Sequence, residues 1–250
     1  MILLSTESLN GYGLHRIFGF AKEAGFHGID LSVSFENYDT LDLDYIKKLS
    51  DETGIQVLSI SAPSSGITES IVDKFISMAS VLGTQVITFA PPHFSDKDIS
   101  WYKEYLPKVK KSSNISISVQ NVEPKFLFFI IPARKNASLI EIKKITGDTS
   151  FDLGSSSDII KDSTFLGSSI KNIYLSDNLL DKKGLILGSS VGGISNLPIE
   201  SLLMKLKANS YNGLFSLKVS PKEIGAGNNE AVLNNLKHCI SYYEKYFAEK

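Results

Sequence analysis

The chain has 250 residues, and its 26 basic and 27 acidic side chains leave a net charge of −1, so no electrostatic footprint for nucleic acid is visible. A single cysteine, Cys239, excludes an internal disulfide and fits a reducing, cytoplasmic setting. The amino terminus lacks the pattern of a signal peptide, and the longest aromatic-aliphatic run, 126–131, is far short of the about 20 residues a helix needs to cross a bilayer, so no membrane partner is expected.

Short runs rich in β-branched residues recur at 2–4, 28–33, 55–60, 85–90, 115–120, 149–153, 170–175 and 214–219. Their length and composition predict strands. Amphipathic stretches lie between them: 41–53 presents Leu41, Tyr45, Ile46 and Leu49 on one face, and 68–82 does the same with Ile71, Val72, Phe75 and Met78. Segments 198–208 and 229–247 carry later helices, with Cys239 as a small buried residue in the last. Glycines 25, 54, 83, 147 and 213 stand where a helix should close before the next strand. The unit is strand, loop, helix, glycine, repeated every roughly 30 residues, as βαβ units require. Eight such units predict one α/β domain over residues 1–250, a single (β/α)8 barrel. The alternative, an open doubly wound sheet, is weakened because no glycine-rich phosphate fingerprint follows the first strand.

Two features stay open on the residues alone. The run from Phe126 to Ile131 reads as a buried strand or helix edge; exposed, it would be a partner surface, for instance in a homo-oligomer. Tyr12, Trp101 and the 126–129 aromatics are read as core, with the lining of a sugar-sized pocket as the sharper alternative.

Several segments, in order, resemble the xylose isomerase-like TIM barrels, the superfamily of sugar isomerases, sugar epimerases and the AP-endonuclease branch. Ala24-Gly25-Phe26-His27-Gly28-Ile29-Asp30-Leu31 is similar to the family's second-strand "GFDGIEL", and Ile117-Ser118-Val119-Gln120-Asn121 to its fifth-strand "L.IEN". Phe151-Asp152-Leu153-Gly154-Ser155 resembles "LDTGH", Ile173-Tyr174-Leu175-Ser176-Asp177 resembles "VHLSD", and 211–219 resembles "YDGPLSLEV". The resemblance implies a barrel whose mouth holds a divalent metal on carboxylates of strands five, six and eight and a histidine of strand seven. It also implies that the two glutamates move a proton on a carbohydrate.

This chain departs from that pattern at nearly every position. Gln120, Tyr174 and Lys218 replace three of the implied ligands, Ser155 replaces a trailing histidine, and Asp152 alone is retained. An ammonium has no acceptor for a metal. The expectation is therefore that no metal or other cofactor is used and that Lys218 pairs with Asp152 in the cation's place. The mouth then binds a small polar, sugar-like molecule or is catalytically degenerate. The alternative is an active sugar or sugar-phosphate isomerase or epimerase with an atypical metal or a lysine-based site. Imine chemistry at Lys218 would require burial to lower its pKa. Asp30, His93, Gln120, Tyr174 and Asp177 are the candidate ligand-binding residues, with Lys218 and Asp152 the candidate catalytic pair. His15, His27 and His238 fall outside the mouth on this reading.

Overall fold

The computed structural model describes residues 1–179, 182–189 and 197–248. Eight parallel strands close into a ring in chain order: β1 (Ile2–Ser5), β2 (Gly28–Ser32), β3 (Val57–Ser61), β4 (Val86–Phe89), β5 (Ser116–Gln120), β6 (Asp148–Asp152), β7 (Ile170–Leu175) and β8 (Leu214–Leu217), with β8 pairing back onto β1. The eight expected strands are these, shifted by at most a few residues at their ends. The helices are α1 (Leu14–Ala24), α2 (Leu43–Thr53), α3 (Glu69–Leu82), α4 (Leu106–Ser112), α5 (Leu139–Thr146), α6 (Ile159–Leu166), α7 (Ile199–Ala208) and α8 (Asn229–Tyr243), with a short turn of helix at Pro221–Ile224. The chain is a (β/α)8 barrel.

Side-chain period builds this layout. Outward-facing strand residues such as Ile2, Leu4, Ile29, Leu31, Ile117, Val119, Phe215 and Leu217 are fully buried and join the inner faces of the helices in one continuous core. Inward-facing Leu3, Leu58, Val86 and Leu214 form a separate apolar plug at the amino-terminal end. Gly28 is required there, because a Cβ would stand 2.8 Å from the Gln56 carbonyl oxygen. Cys239 sits in the outer core, and burial pushes its thiol up to about 12, consistent with an inert packing residue.

Glycines 25, 54, 83 and 147 close their helices in the left-handed conformation as expected. Gly213 does something else: α7 has already ended at Ala208, and a Cβ at 213 would fall 2.3 Å from the Tyr211 hydroxyl oxygen. It is a close-approach glycine rather than a helix cap. Trp101 is core, tilted against Phe89 in a wide helical turn just before α4.

The largest departure is the aromatic-aliphatic run. It is neither a buried strand nor a helix edge, but a hairpin of Phe126–Leu127 with Ile131–Pro132 that stands out from the loop between β5 and α5. Hydropathy gave the wrong expectation because burial depends on where the loop projects, not on composition. Among the described residues no helix is long and apolar enough to cross a membrane.

Candidate functional site

The waist of the barrel is polar. Each strand sends one small polar or acidic side chain to this level: Ser5, Asp30, Ser59, Thr88, Ser118, Ser150, Asn172 and Ser216, all buried. Their bonds run both between neighbouring strands and across the ring. Thr88 Oγ1 lies 2.8 Å from Ser150 Oγ, and Asn172 Nδ2 donates to Ser59 Oγ across the ring at 3.4 Å. Ser118 Oγ is 2.7 Å from Ser150 Oγ, and Ser216 Oγ donates to Asn172 Oδ1 at 3.1 Å. Buried polar groups need such partners; most of these supply one another, while the buried Ser5 hydroxyl lies outside hydrogen-bond geometry to any of them. Barrels of this type are normally filled at this level by branched hydrocarbon.

Above the waist, at the carboxyl ends of the strands, lies a charged layer. Lys218 follows β8, and its backbone N–H donates to Leu175 O at 2.9 Å, which extends the pairing with β7 and aims the side chain into the mouth. The ammonium lies 3.8 Å from Asp152 Oδ2 and 3.2 Å from Glu7 Oε2. It also stands 5.3 Å from the centre of the Tyr174 ring. Burial works against this ammonium, but Asp152, Glu7 and Asp30 outweigh it and hold the Lys218 pKa above its usual value. Lys218 is therefore a protonated cation at neutral pH.

Glu7 is the residue that sequence reasoning missed. Its place is set by Ser8, whose hydroxyl donates to Leu217 O and accepts from Val219 N–H, both at 3.0 Å. That clamp ties the 3-10 turn Thr6–Leu9 to the exit of β8 and brings Glu7 onto Lys218. A usable signal was present: Glu7 continues the inward alternation of Leu3 and Ser5.

Asp152 is held just as firmly. Asn121 accepts from Asp152 N–H at 2.6 Å and donates to Asp152 O at 2.9 Å. The carboxylate accepts from Gly154 N–H at 3.0 Å and from the Ser155 hydroxyl at 3.2 Å. Burial raises the Asp152 pKa, with Lys218 pulling the other way. Asp30 is 0% exposed and lies deeper. The Ser61 hydroxyl reaches its two oxygens at 3.2 and 3.3 Å and lies 2.7 Å from the Tyr174 hydroxyl oxygen, so Asp30, Ser61 and Tyr174 form one chain. Burial raises Asp30 as well, against the hydroxyls of Ser59, Ser5 and Ser61 and the charge of Lys218. Burial likewise drives Tyr174 well above its ordinary value, so it is a neutral phenol.

A cavity of 570 Å3 opens on this layer, lined by Glu7, Gln120 and Lys218 together with Asn10, Glu36 and the hydroxyls of Ser32, Ser34, Ser61, Ser64, Ser65 and Thr88. Of the candidate residues, Lys218 and Gln120 line it, while Asp152, Tyr174 and Asp30 lie beneath. His93 and Asp177 are not among its walls. His93 is turned onto Ser95, with Nδ1 2.7 Å from the hydroxyl oxygen, and bridges the backbone of Arg134. Asp177 is buried and accepts from Asn178 N–H at 2.8 Å. His15 is exposed, and His27 and His238 bond to the backbone at Ile2 and Leu187. Among the described residues no three His, Cys, Asp or Glu side chains converge as a metal cluster would require. Of Gln120, Asp152, Tyr174 and Lys218, Asp152 alone carries a carboxylate, and an ammonium has no lone pair to offer a cation.

Solved structures with this arrangement of strands are numerous. A D-tagatose 3-epimerase-like protein superimposes with a TM-score of 0.68 over 99% of this chain and 98% of its own, at 17% identity. A zinc-bound IolI protein gives 0.69 over 99% of each chain at 12% identity. A xylose isomerase domain protein of Salmonella typhimurium LT2 gives 0.69 over 97% of this chain and 96% of its own at 11% identity. The chain has the xylose isomerase-like TIM-barrel fold. No family model matches its sequence. Uncharacterized proteins of Mycobacterium tuberculosis and Mycobacterium leprae are 25% identical over 130 residues, which is 48% of this chain and 46% of theirs. The match thus spans about half the length of those curated relatives. Such likeness places the fold and leaves the activity to the residues of the mouth.

Proposed function

We propose that the mouth of this xylose isomerase-like barrel binds a small, uncharged, sugar-like molecule and does so without a divalent cation. The observation that carries this reading is the Lys218 ammonium between Glu7 and Asp152, at 3.2 and 3.8 Å. A positive charge at that point repels a metal ion: two unit charges about 4 Å apart interact by about 4 kcal/mol at an effective dielectric of 20, and a second ionic charge roughly doubles that. The lining supports a polyol, since serine, threonine, asparagine and glutamine side chains offer both donors and acceptors to ligand hydroxyls. A phosphate is a poorer fit, because Lys218 is already shared by two carboxylates. The test is titration of neutral monosaccharides into the full chain, with and without chelator. Binding that survives chelator and is lost in Lys218→Met supports the reading. Stoichiometric metal in protein purified without chelator overturns it.

A second reading is favoured by the chain from Tyr174 through Ser61 to Asp30. A carboxyl whose pKa burial has raised can hold and release a proton closer to neutral pH. On this reading the protein is an isomerase or epimerase acting on a carbohydrate, with Asp30 and Tyr174 as its acid-base groups. Exchange of a sugar C–H proton in deuterated water, abolished in Asp30→Asn, is the outcome it requires.

A further inference from the structure

The hairpin between β5 and α5 is the most exposed apolar feature among the described residues. Phe129 is 98% exposed and Phe128 85%, with Phe126, Ile130 and Ile131 exposed beside them. Both tip phenylalanines adopt positive φ, 50° and 64°, a conformation that bulky residues rarely take. The hairpin base is anchored: Arg134 Nη1 donates to Pro91 O at 2.8 Å and Ser64 O at 2.7 Å, and Ala133 N–H donates to Lys125 O at 2.8 Å. The finger is thus held out from a fixed footing. At that footing lies a groove of 730 Å3 whose apolar walls include Phe94, Ile99, Val122 and Pro132, with Lys103 and Glu141 also lining it.

We propose that this finger and groove form a two-fold interface between two copies of this chain, each copy seating its Phe128–Phe129 tip in the groove of the other. Knob and hole lie side by side on one surface, which is the self-complementary arrangement an isologous dimer needs. The three phenylalanines alone expose about 400–500 Å2, half or more of the about 800 Å2 that each partner gives to a stable interface, and the groove walls and Ile130 and Ile131 add to it. Lys103, Lys125, Arg134 and Lys135 line the groove together with Glu123 and Glu141, so both signs are present for a second copy to pair with, and an anionic membrane surface is the competing occupant. This interface is independent of the ligand bound in the mouth.

Sedimentation velocity of the full chain across a concentration series reads the association directly. The expected result is a mass that doubles with concentration. In Phe128→Ser/Phe129→Ser the dissociation constant should rise at least tenfold, with the same loss in the groove variant Ile99→Glu. Neither tip residue packs in the monomer, so the melting temperature of the finger variant measured at low concentration should be unchanged. Should that variant fail to fold, Phe129→Cys combined with Ile99→Cys reads the contact independently as a disulfide-linked dimer, since Cys239 is buried. A strict monomer at every soluble concentration overturns the proposal. So does a dimer indifferent to the finger, or a monomer that pellets with phosphatidylcholine–phosphatidylserine vesicles only when the finger is intact.

Discussion

Strand β6 carries an aspartate at each end, and the two ends meet different lysines. At the amino-terminal end Asp148 pairs with Lys110 of α4 and with Lys171 of β7, the latter at 3.8 Å. At the carboxyl end Asp152 meets Lys218, also at 3.8 Å, inside the mouth. The outer group stitches a helix to the barrel and leaves one cation behind if the other is lost. Among the described residues Asp152 has Lys218 as its one cation, and Lys218 lines the cavity. The same residue types in the same strand therefore do different work, decided by which side of the barrel supplies the partner.

The strongest way to break this comparison is Lys218→Met. Removing one partner of a buried pair leaves a charge unpaired, and a loss of about 3 kcal/mol is expected in urea denaturation. The double variant Lys218→Met/Asp152→Leu should recover most of it. No loss in the single variant would mean that the ammonium contributes nothing to the mouth.

Asp30→Asn sharpens the contrast by pH. Burial raises the Asp30 carboxyl above its ordinary 3.8, so the folded state holds that proton more tightly than the unfolded chain. The resulting stability is fully present below pH 3.8 and is lost as pH rises through the raised value. Asp30→Asn has no proton to lose, so its melting temperature should overtake that of the natural chain as pH climbs from acid toward neutral. The difference in melting temperature between the two should widen in favour of Asp30→Asn as pH rises. Parallel melting curves at all pH values would contradict it.

The smallest effect belongs to Lys110→Met. Its partner keeps Lys171 and the pair is partly open to solvent, so less than about 1 kcal/mol should be lost. A loss as large as that of Lys218→Met would erase the distinction between the two ends of β6.

Much of the barrel was legible because its signals are local. Alternating apolar residues mark the strands, and glycines 25, 54, 83 and 147 close helices within one turn of the residues that predict them. The approach of Lys218 to Asp152 could be anticipated because both residues occupy recognisable strand ends. Glu7 was legible only in part: the alternation of Leu3 and Ser5 points it inward, but its approach to Lys218 depends on a serine hydroxyl bonding 209 residues away, which leaves no local trace. Gly213 was misread because proximity of Tyr211, rather than helix closure, is what fixes it. The 126–131 run was misread because its two positive-φ phenylalanines make a turn that no propensity assigns to aromatic residues. The polar waist was in principle readable as a period-two recurrence of serine, threonine, asparagine and aspartate, but only once the closed ring shows that all eight strands contribute to one level.

That waist leaves a calorimetric signature. Unfolding a barrel stuffed with branched hydrocarbon wets a large apolar area and raises the heat capacity; wetting hydroxyls and amides lowers it. This chain should therefore unfold with a smaller heat-capacity increment than a barrel of equal length with an oily centre, and its stability should vary less steeply with temperature on either side of the maximum.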